Sequence, residues 1–143
     1  MKFKYHKLLL DHCSPLFNYS ILKPIIPVTL SVSGGRSTTY AALIDSGADF
    51  CIFDAEIGEY LELDVKSGTK VGFGGIQESS GAESFLHEVT LNIGGWDYKT
   101  TIGFSYDVAK HGFGILGQKG FFDIFKVSFD YRKEEIELKE KNR

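Results

Sequence analysis

The sequence has little of what marks several common protein classes. Its 143 residues contain two cysteines, Cys13 and Cys51, which are too few for a disulfide framework. No apolar run approaches the roughly 20 residues that a membrane-spanning helix needs. The apolar run near the N-terminus, Leu8 to Leu10, is too short for a signal peptide. We therefore expect a soluble, cytoplasmic protein that does not insert into a membrane.

An excess of charge of one sign is also lacking. The 16 Lys and Arg residues and the 19 Asp and Glu residues give a net charge of −3, and both signs are mixed along the chain. This balance predicts no basic groove for nucleic acid, so the 12 Phe and 7 Tyr residues are better explained by a hydrophobic core than by base stacking. The spacing of the histidines and cysteines matches no zinc pattern, and we predict neither a metal nor a cofactor.

Alternation of apolar and polar residues dominates the chain and predicts antiparallel strands. Turn signals separate the alternating runs, namely SGGR at residues 33–36, IGGW at residues 93–96 and YRKEEI at residues 131–136. Three sets of side chains would each form one face of a strand: Val28, Leu30 and Val32; Phe85, His87, Val89, Leu91 and Ile93; and Val127, Phe129 and Tyr131.

Helical spacing is confined to two short stretches. Asp54 precedes the sequence AEIGEYLEL and is a suitable N-cap for a short helix. A second short helix is predicted over Gln118–Phe125, where Phe121, Phe122 and Phe125 would pack onto the sheet. The sequence therefore predicts a mostly-β protein with one or two short helices.

The length and composition suit one domain with a real core. Residues 1–22 fit no alternation well, and we interpret them as an N-terminal extension. Residues 23–143 are then the single globular domain.

One acidic residue stands where an apolar strand ends. The run AALI, residues 41–44, leads directly to Asp45, Ser46 and Gly47. A carboxylate is costly to bury at such a place unless it is paired or accepts hydrogen bonds. Ser46 offers a hydroxyl, and Gly47 lets the backbone turn tightly and bring N–H groups close to the acid. The combination predicts a held, desolvated carboxyl group.

The sequence LIDSGAD, residues 43–49, resembles the signature of the retropepsin-like, single-lobe aspartic proteases, in which two hydrophobic residues precede Asp-Ser/Thr-Gly-Ala. Upstream, KPIIPVTLSVSGGRSTTY resembles the opening strand, glycine hairpin and second strand of that family. Downstream, FGILGQKGFFDIFKVSFDYRKEEIELK is similar to its Ile-Leu-Gly strand, short helix and final hairpin. The resemblance covers residues 23–139 and implies a closed β-barrel lobe of the acid-protease type.

An aspartic endopeptidase is the activity that the resemblance implies. In this family two carboxyls share one proton and activate a water that attacks the peptide bond. Asp45 would be the catalytic acid and base, Ser46 would link two loops across a two-fold axis, and Gly47 would contact the substrate backbone. No other Asp in the chain is followed by Ser or Thr and then Gly. The resemblance therefore implies a homodimer in which two Asp45 carboxyls face each other.

Further site residues follow from the same resemblance. Asp49 matches the acid that holds the main chain of a peptide substrate, and Ile115 would partly line a subsite. Leu116 and Gly117 would pack behind the catalytic loop. Four residues would form the tip of a moving flap that covers the substrate: Gly72, Phe73, Gly74 and Gly75.

One departure and several alternatives accompany this interpretation. Gln118 stands where many viral members have an Arg that pairs with the acid matching Asp49. Taken alone, the sequence Asp45-Ser46-Gly47 also fits an ordinary surface turn. A catalytically inactive module that binds a peptide or protein, and a precursor inhibited by its own residues 1–22, are the other hypotheses. A catalytic dimer differs from all of these because its two Asp45 carboxyls must meet.

Overall fold

The computed structural model describes residues 1–73, 81–108 and 112–141. These residues form mostly β structure, with one α-helix, α1 (Ala55–Tyr60), and one turn of 3-10 helix at Val65–Ser67. In chain order the strands are β1 (Lys2–Lys4), β2 (His6–Ser14), β3 (Asn18–Lys23), β4 (Ile25–Ser31), β5 (Ser37–Ile44), β6 (Ile52–Asp54), β7 (Thr69–Gly72), β8 (Glu83–Ile93), β9 (Trp96–Ser105), β10 (Gly114–Leu116), β11 (Phe125–Asp130) and β12 (Glu135–Glu140).

Six of these strands close into a barrel. Their spatial order is β4, β5, β10, β6, β9, β8 and back to β4, and β7 extends the sheet beyond β8. Most neighbouring pairs are antiparallel, but β10 runs parallel to β5 and β6 runs parallel to β9. The predicted fold class, a mostly-β closed barrel with one or two short helices, is confirmed.

The predicted alternation identifies the barrel interior correctly. Val28 and Leu30 of β4 are buried, and so are Val89, Leu91 and Ile93 of β8. These residues are two apart along their strands, so their side chains point to the same face of the sheet. The closed barrel surrounds this face with apolar neighbours from the other strands.

The predicted turn between β8 and β9 is a two-residue hairpin loop. Its central residues, Gly94 and Gly95, have φ angles of +60° and +91°. Two-residue hairpins favour turns in which both central residues have positive φ, because such turns match the twist of the strands. Glycine adopts this backbone conformation without steric cost, which explains why the pattern IGGW ends one strand and begins the next.

The C-terminal hairpin forms a separate sheet with the start of the chain. β12 lies between β11 and β1, and its side chains Ile136 and Leu138 are buried in the core. The alternation in β11 does not mark a buried face, because Phe129 is 46% exposed and Tyr131 is 59% exposed. Their rings instead contact the ring of Tyr5, which follows β1.

The first 22 residues contain β1, β2 and most of β3. Within the described part of the chain, β1 pairs with β12, whereas β2 and β3 pair only with each other. The β2–β3 hairpin is therefore a two-stranded unit outside the barrel. Its strands were not predicted because their residues show no regular alternation.

The first predicted helix is confirmed. α1 begins after Asp54, whose carboxylate accepts a hydrogen bond from the backbone N–H of Glu56 at 2.9 Å. This is the bond expected of an N-cap residue, which satisfies one of the N–H groups that the first helical turn leaves unpaired. No helix among the described residues is long and apolar enough to cross a membrane.

The second predicted helix, over Gln118–Phe125, is wrong. This stretch forms turns, since Gly120 has a φ angle of +97° and its N–H donates to the carboxylate of Asp123 at 3.0 Å. A residue with positive φ interrupts right-handed helical geometry. Phe121 and Phe125 are nevertheless buried, as the prediction required, because a single turn brings residues four apart onto one side.

Candidate active site

The loop that begins at Asp45 continues directly from a barrel strand. β5 ends at Ile44, and β10 runs parallel beside it with Leu116 opposite Ile44. The N–H of Asp45 donates to the carbonyl of Leu116 at 3.0 Å, so the contact with β10 extends one residue into the loop. Leu116 is fully buried and fixes this junction to the core, whereas Ile115 is half-buried and lies opposite Leu43 and Ile52.

The carboxylate of Asp45 is oriented by its own loop. Its Oδ1 accepts a hydrogen bond from the N–H of Gly47 at 2.9 Å, and its carbonyl accepts one from Ala48 at 3.2 Å. Asp side chains favour this kind of turn because they can bond a backbone N–H two residues on. Asp45 is half-buried, while Ser46 and Gly47 are exposed. The acid is therefore held in one orientation, as predicted, but the predicted desolvation is wrong for the single chain, because the loop around Asp45 lies at the surface.

A backbone ladder holds the second half of the loop. The N–H of Gln118 donates to the carbonyl of Ala48 at 2.8 Å, and that of Lys119 donates to Asp49 at 2.9 Å. The N–H of Cys51 returns a bond to the carbonyl of Lys119 at 3.1 Å. Successive bonds of this kind fix the backbone without depending on side-chain conformation. The loop is thus clamped against the segment that follows β10.

Gln118 adds a side-chain contact to this ladder. Its side-chain amide donates to the carbonyl of Ser46, next to the acid. Gln118, which the sequence analysis placed at the position of the viral Arg, therefore binds the Asp45 loop through a neutral hydrogen bond. Asp49 is exposed, and its carboxylate has no recorded ion pair among the described residues.

Gly117 allows the two segments to approach each other. A Cβ atom at this position would clash with the carbonyl oxygen of Phe50 and would lie 2.8 Å from that of Ala48. The N–H of Gly117 donates to the sulfur of Cys51 at 3.4 Å. Burial raises the pKa of the Cys51 thiol to about 12. This thiol therefore stays protonated at ordinary pH and packs behind the loop rather than acting as a nucleophile.

The start of the predicted flap is the hairpin between β7 and β8. Val71 lies opposite Ser84 and Gly72 lies opposite Glu83. Gly72 is exposed, and the ring of Phe73 meets that of Phe50 edge-on, with the ring centroids 6.3 Å apart. This contact joins the start of the predicted flap to the Asp45 loop.

The tip of the predicted flap is not described. Gly74 and Gly75 lie outside the described residues, so their predicted role stays a prediction. The described part of the flap ends at Phe73 on one side and resumes at Gly81 on the other.

Two residues that the sequence analysis did not identify hold the base of the flap. The carboxylate of Asp107 accepts from the N–H of Glu83 at 2.9 Å, and the hydroxyl of Ser105 donates to the carbonyl of Glu83. The N–H of Asp107 also donates to the hydroxyl of Ser105 at 3.0 Å. One feature of the sequence could have identified Ser105: it ends the apolar run TIGFS, residues 101–105, and a hydroxyl that is buried there needs a hydrogen-bond partner.

A cavity of about 530 Å³ lies between the loop and the flap base. Its lining includes Asp49, Phe50, Val71, Leu86, Thr101 and Lys119. The structure thus brings one predicted substrate-binding residue, Asp49, together with the flap strand. Asp45 and Ile115 are not among the lining residues, so the cavity borders the loop at Asp49 and Phe50 rather than at Asp45.

The described residues form no cluster that suits a metal ion. Within residues 1–73, 81–108 and 112–141, no group of three or more His, Cys, Asp or Glu side chains is arranged to hold a metal ion. The His87 ring donates a hydrogen bond to the carbonyl of Val65 at 2.8 Å and is partly buried in β8, so it has a packing role.

Comparison with known proteins gives one solved structure of interest. The chain is similar to the EIAV protease in complex with the inhibitor HBY-793, with 25% sequence identity and a TM-score of 0.46. The similarity covers 67% of this chain and 82% of that one. No family model and no curated protein matches the chain.

The close approach at Gly117 can be tested by substitution. Gly117→Ala should lower the free energy of unfolding by about 1–3 kcal/mol, because the added methyl group meets backbone oxygens that cannot move without breaking the ladder. Gly35→Ala is the matched control, since the nearest atom to its Cβ would lie at 3.4 Å. Urea unfolding followed by circular dichroism measures both variants. Equal stability of the two variants would contradict the clamp.

Proposed function

We propose that the chain is an aspartic endopeptidase that hydrolyses peptide bonds as a homodimer, using a water activated between two Asp45 carboxyls. The observation that carries the proposal is the double anchoring of Asp45. Its carboxylate is turned by the N–H of Gly47, and its backbone is fixed by the carbonyl of Leu116. A carboxylate that is oriented yet accessible is what general acid-base catalysis requires.

The reaction follows from bringing two such carboxyls together. Two carboxylates a few ångströms apart cannot both be ionised at ordinary pH, so the pair retains one proton. The ionised member removes a proton from water, and the resulting hydroxide attacks the peptide carbonyl carbon. The protonated member donates a hydrogen bond to the carbonyl oxygen and thereby stabilises the developing negative charge. The carboxyl that took the proton from water then transfers it to the amide nitrogen. The C–N bond breaks, and a carboxylic acid and an amine are released.

A second copy of the chain supplies the partner acid. The chain contains one Asp-Ser-Gly sequence, and one Asp45 alone cannot share its proton with a like group. The most common symmetric assembly is a dimer with a two-fold axis, which places identical residues of the two copies opposite each other. The exposed positions of Ser46 and Gly47 support contact across such an axis.

The substrate is an extended peptide that lies between the loop and the flap. Asp49 is exposed at one end of the loop and can accept hydrogen bonds from peptide N–H groups. The cavity beside it has apolar walls from Phe50, Val71 and Leu86, which suit an apolar side chain of the peptide. The adjoining strand β7 offers its backbone to the peptide main chain.

The essential role of Asp45 can be tested by a nearly isosteric substitution. Asp45→Asn keeps the hydrogen bond that Gly47 donates but cannot share a proton. We expect peptide cleavage to fall by about a hundred- to ten-thousandfold with an unchanged unfolding curve. Cleavage of a mixed peptide library, read by mass spectrometry, measures the effect.

The matched control for this test is Asp64→Asn. Asp64 is exposed, and its side chain makes no capping hydrogen bond. This variant should cleave like the wild type. Undiminished cleavage by Asp45→Asn would exclude Asp45 as the catalytic acid.

The shared proton also predicts a pH dependence. Cleavage should be fastest on the acid to neutral side and should fall at both extremes, because the pair works only when it carries one proton. Initial rates from pH 3 to pH 9 on one peptide, at a protein concentration where the dimer persists, give the profile. A rate that rises steadily into the alkaline range would oppose this mechanism.

A further inference from the structure

The β2–β3 hairpin carries apolar side chains that the described part of the chain leaves exposed or only partly covered. None of the residues His6–Lys23 is buried, and none of them belongs to the core or packs against it. Leu9 is 82% exposed, Leu16 is 79% exposed and Tyr19 is 63% exposed. The large apolar and aromatic side chains of this stretch are Leu8, Leu9, Leu10, Leu16, Phe17, Tyr19, Ile21 and Leu22.

Such a hairpin needs a partner. A two-stranded sheet alone is marginally stable in water, because it has too little apolar surface to bury. Both of its outer edges are unpaired in the described chain, and unpaired edges are ready to bond another chain. The composition and the open edges together indicate an interaction surface.

The root of the hairpin lies beside the candidate catalytic loop. After β3 the chain passes through Pro24, whose carbonyl accepts a hydrogen bond from the N–H of Ile44 at 2.9 Å. Ile44 immediately precedes Asp45 in the sequence. On the other side, the N–H of Tyr5 donates to the carbonyl of Glu134 at 3.0 Å. A second copy that approaches Asp45 therefore also approaches the base of the hairpin.

The area that a stable dimer needs points to the same surface. A specific interface buries about 800 Å² on each partner. The exposed residues of the loop, Ser46, Gly47 and Asp49, are too few and too small to provide such an area. A further surface that is continuous with the loop must contribute, and the hairpin is both adjacent and apolar.

The hairpin is also long enough. β2 has nine residues and so extends for about 30 Å at the usual rise of a strand. A compact chain of this size has a radius of gyration of about 14 Å. The hairpin can therefore cross much of the face of a second copy. None of its residues lines the cavity beside Asp49, so this role does not compete with the peptide.

We propose that the β2–β3 hairpin is a dimerisation arm, which packs its apolar side chains on a second copy of this chain and so brings the two Asp45 carboxyls together. This proposal rests on the proposed function in one respect, because the proposed function is what requires a second copy of the chain. The arm itself is argued from exposure, position and length.

Association can be measured without catalysis in the Asp45→Asn background. Leu9→Ser combined with Leu16→Ser should raise the dimer dissociation constant at least about tenfold, as loss of central apolar contacts does at other interfaces. Trp96→Ser is the matched control, because Trp96 is 67% exposed at the start of β9, outside the hairpin, and should leave the constant unchanged. Sedimentation equilibrium gives the constants. Neither substitution removes a buried side chain, so circular dichroism of the monomers should be unchanged.

A second measurement uses a thiol within the arm. Cys13 lies in β2 and is exposed, whereas Cys51 is buried and unreactive. Modification of Cys13 by a maleimide reagent should slow as the protein concentration rises through the dissociation constant. Two results would overturn the arm. One is a double variant, Leu9→Ser with Leu16→Ser, that dimerises as well as its parent. The other is a rate of Cys13 modification that does not depend on protein concentration. A wild-type chain that stays monomeric would overturn it as well.

Failure of the arm and failure of the protease proposal give different results. The double variant with Leu9→Ser and Leu16→Ser is also made with Asp45 intact. If its peptide cleavage is reduced at low protein concentration and recovers at higher concentration, the arm is supported. If neither peptide cleavage nor the dimer dissociation constant changes in the double variant, the arm is overturned and the protease proposal is unaffected. Dimers that depend on the arm but cleave no peptide support the arm and contradict the protease.

Discussion

The backbone ladder between the Asp45 loop and the segment after β10 is the constraint on which the candidate site depends. The N–H of Asp45 is bonded to Leu116, and the loop that follows is bonded to Gln118 and Lys119. This arrangement requires Gly117, because any side chain there would push the two segments apart. It fixes the acid by backbone atoms rooted in a closed barrel, which is more rigid than a free loop would be.

The predicted flap has a different kind of anchor. Its base is joined to the barrel by the carboxylate of Asp107 and the hydroxyl of Ser105, both bonded to Glu83, and Phe73 rests on Phe50. These contacts hold the base, and within the described residues β7 pairs with β8 alone. A held acid, and a hairpin that Phe73 joins to the same loop, fit the proposed function, in which an extended peptide lies between the loop and the hairpin.

The sequence predicted those parts in which one physical requirement dominates. Buried barrel faces impose a period of two, and an acid followed by Ser and Gly requires a tight turn, so both were found. The helix over Gln118–Phe125 was wrong because one turn around Gly120 buries the same aromatic residues that a helix would bury. The β2–β3 hairpin was missed because neither of its faces is buried within the chain, so no alternation marks it. The bond from the Gln118 side chain to Ser46 depends on a distant crossing of the chain, which local patterns do not encode.

In the proposed function, a chain with one Asp-Ser-Gly sequence is active only after self-association. The loop supplies an oriented acid, and we infer that the hairpin supplies the surface that pairs it. The most direct test of this account is to hold the wild-type concentration constant and add increasing amounts of Asp45→Asn chain while peptide cleavage is measured. Shared catalysis predicts that cleavage declines toward zero as mixed dimers replace wild-type dimers. Cleavage that stays constant would show that each chain acts alone and would contradict the account.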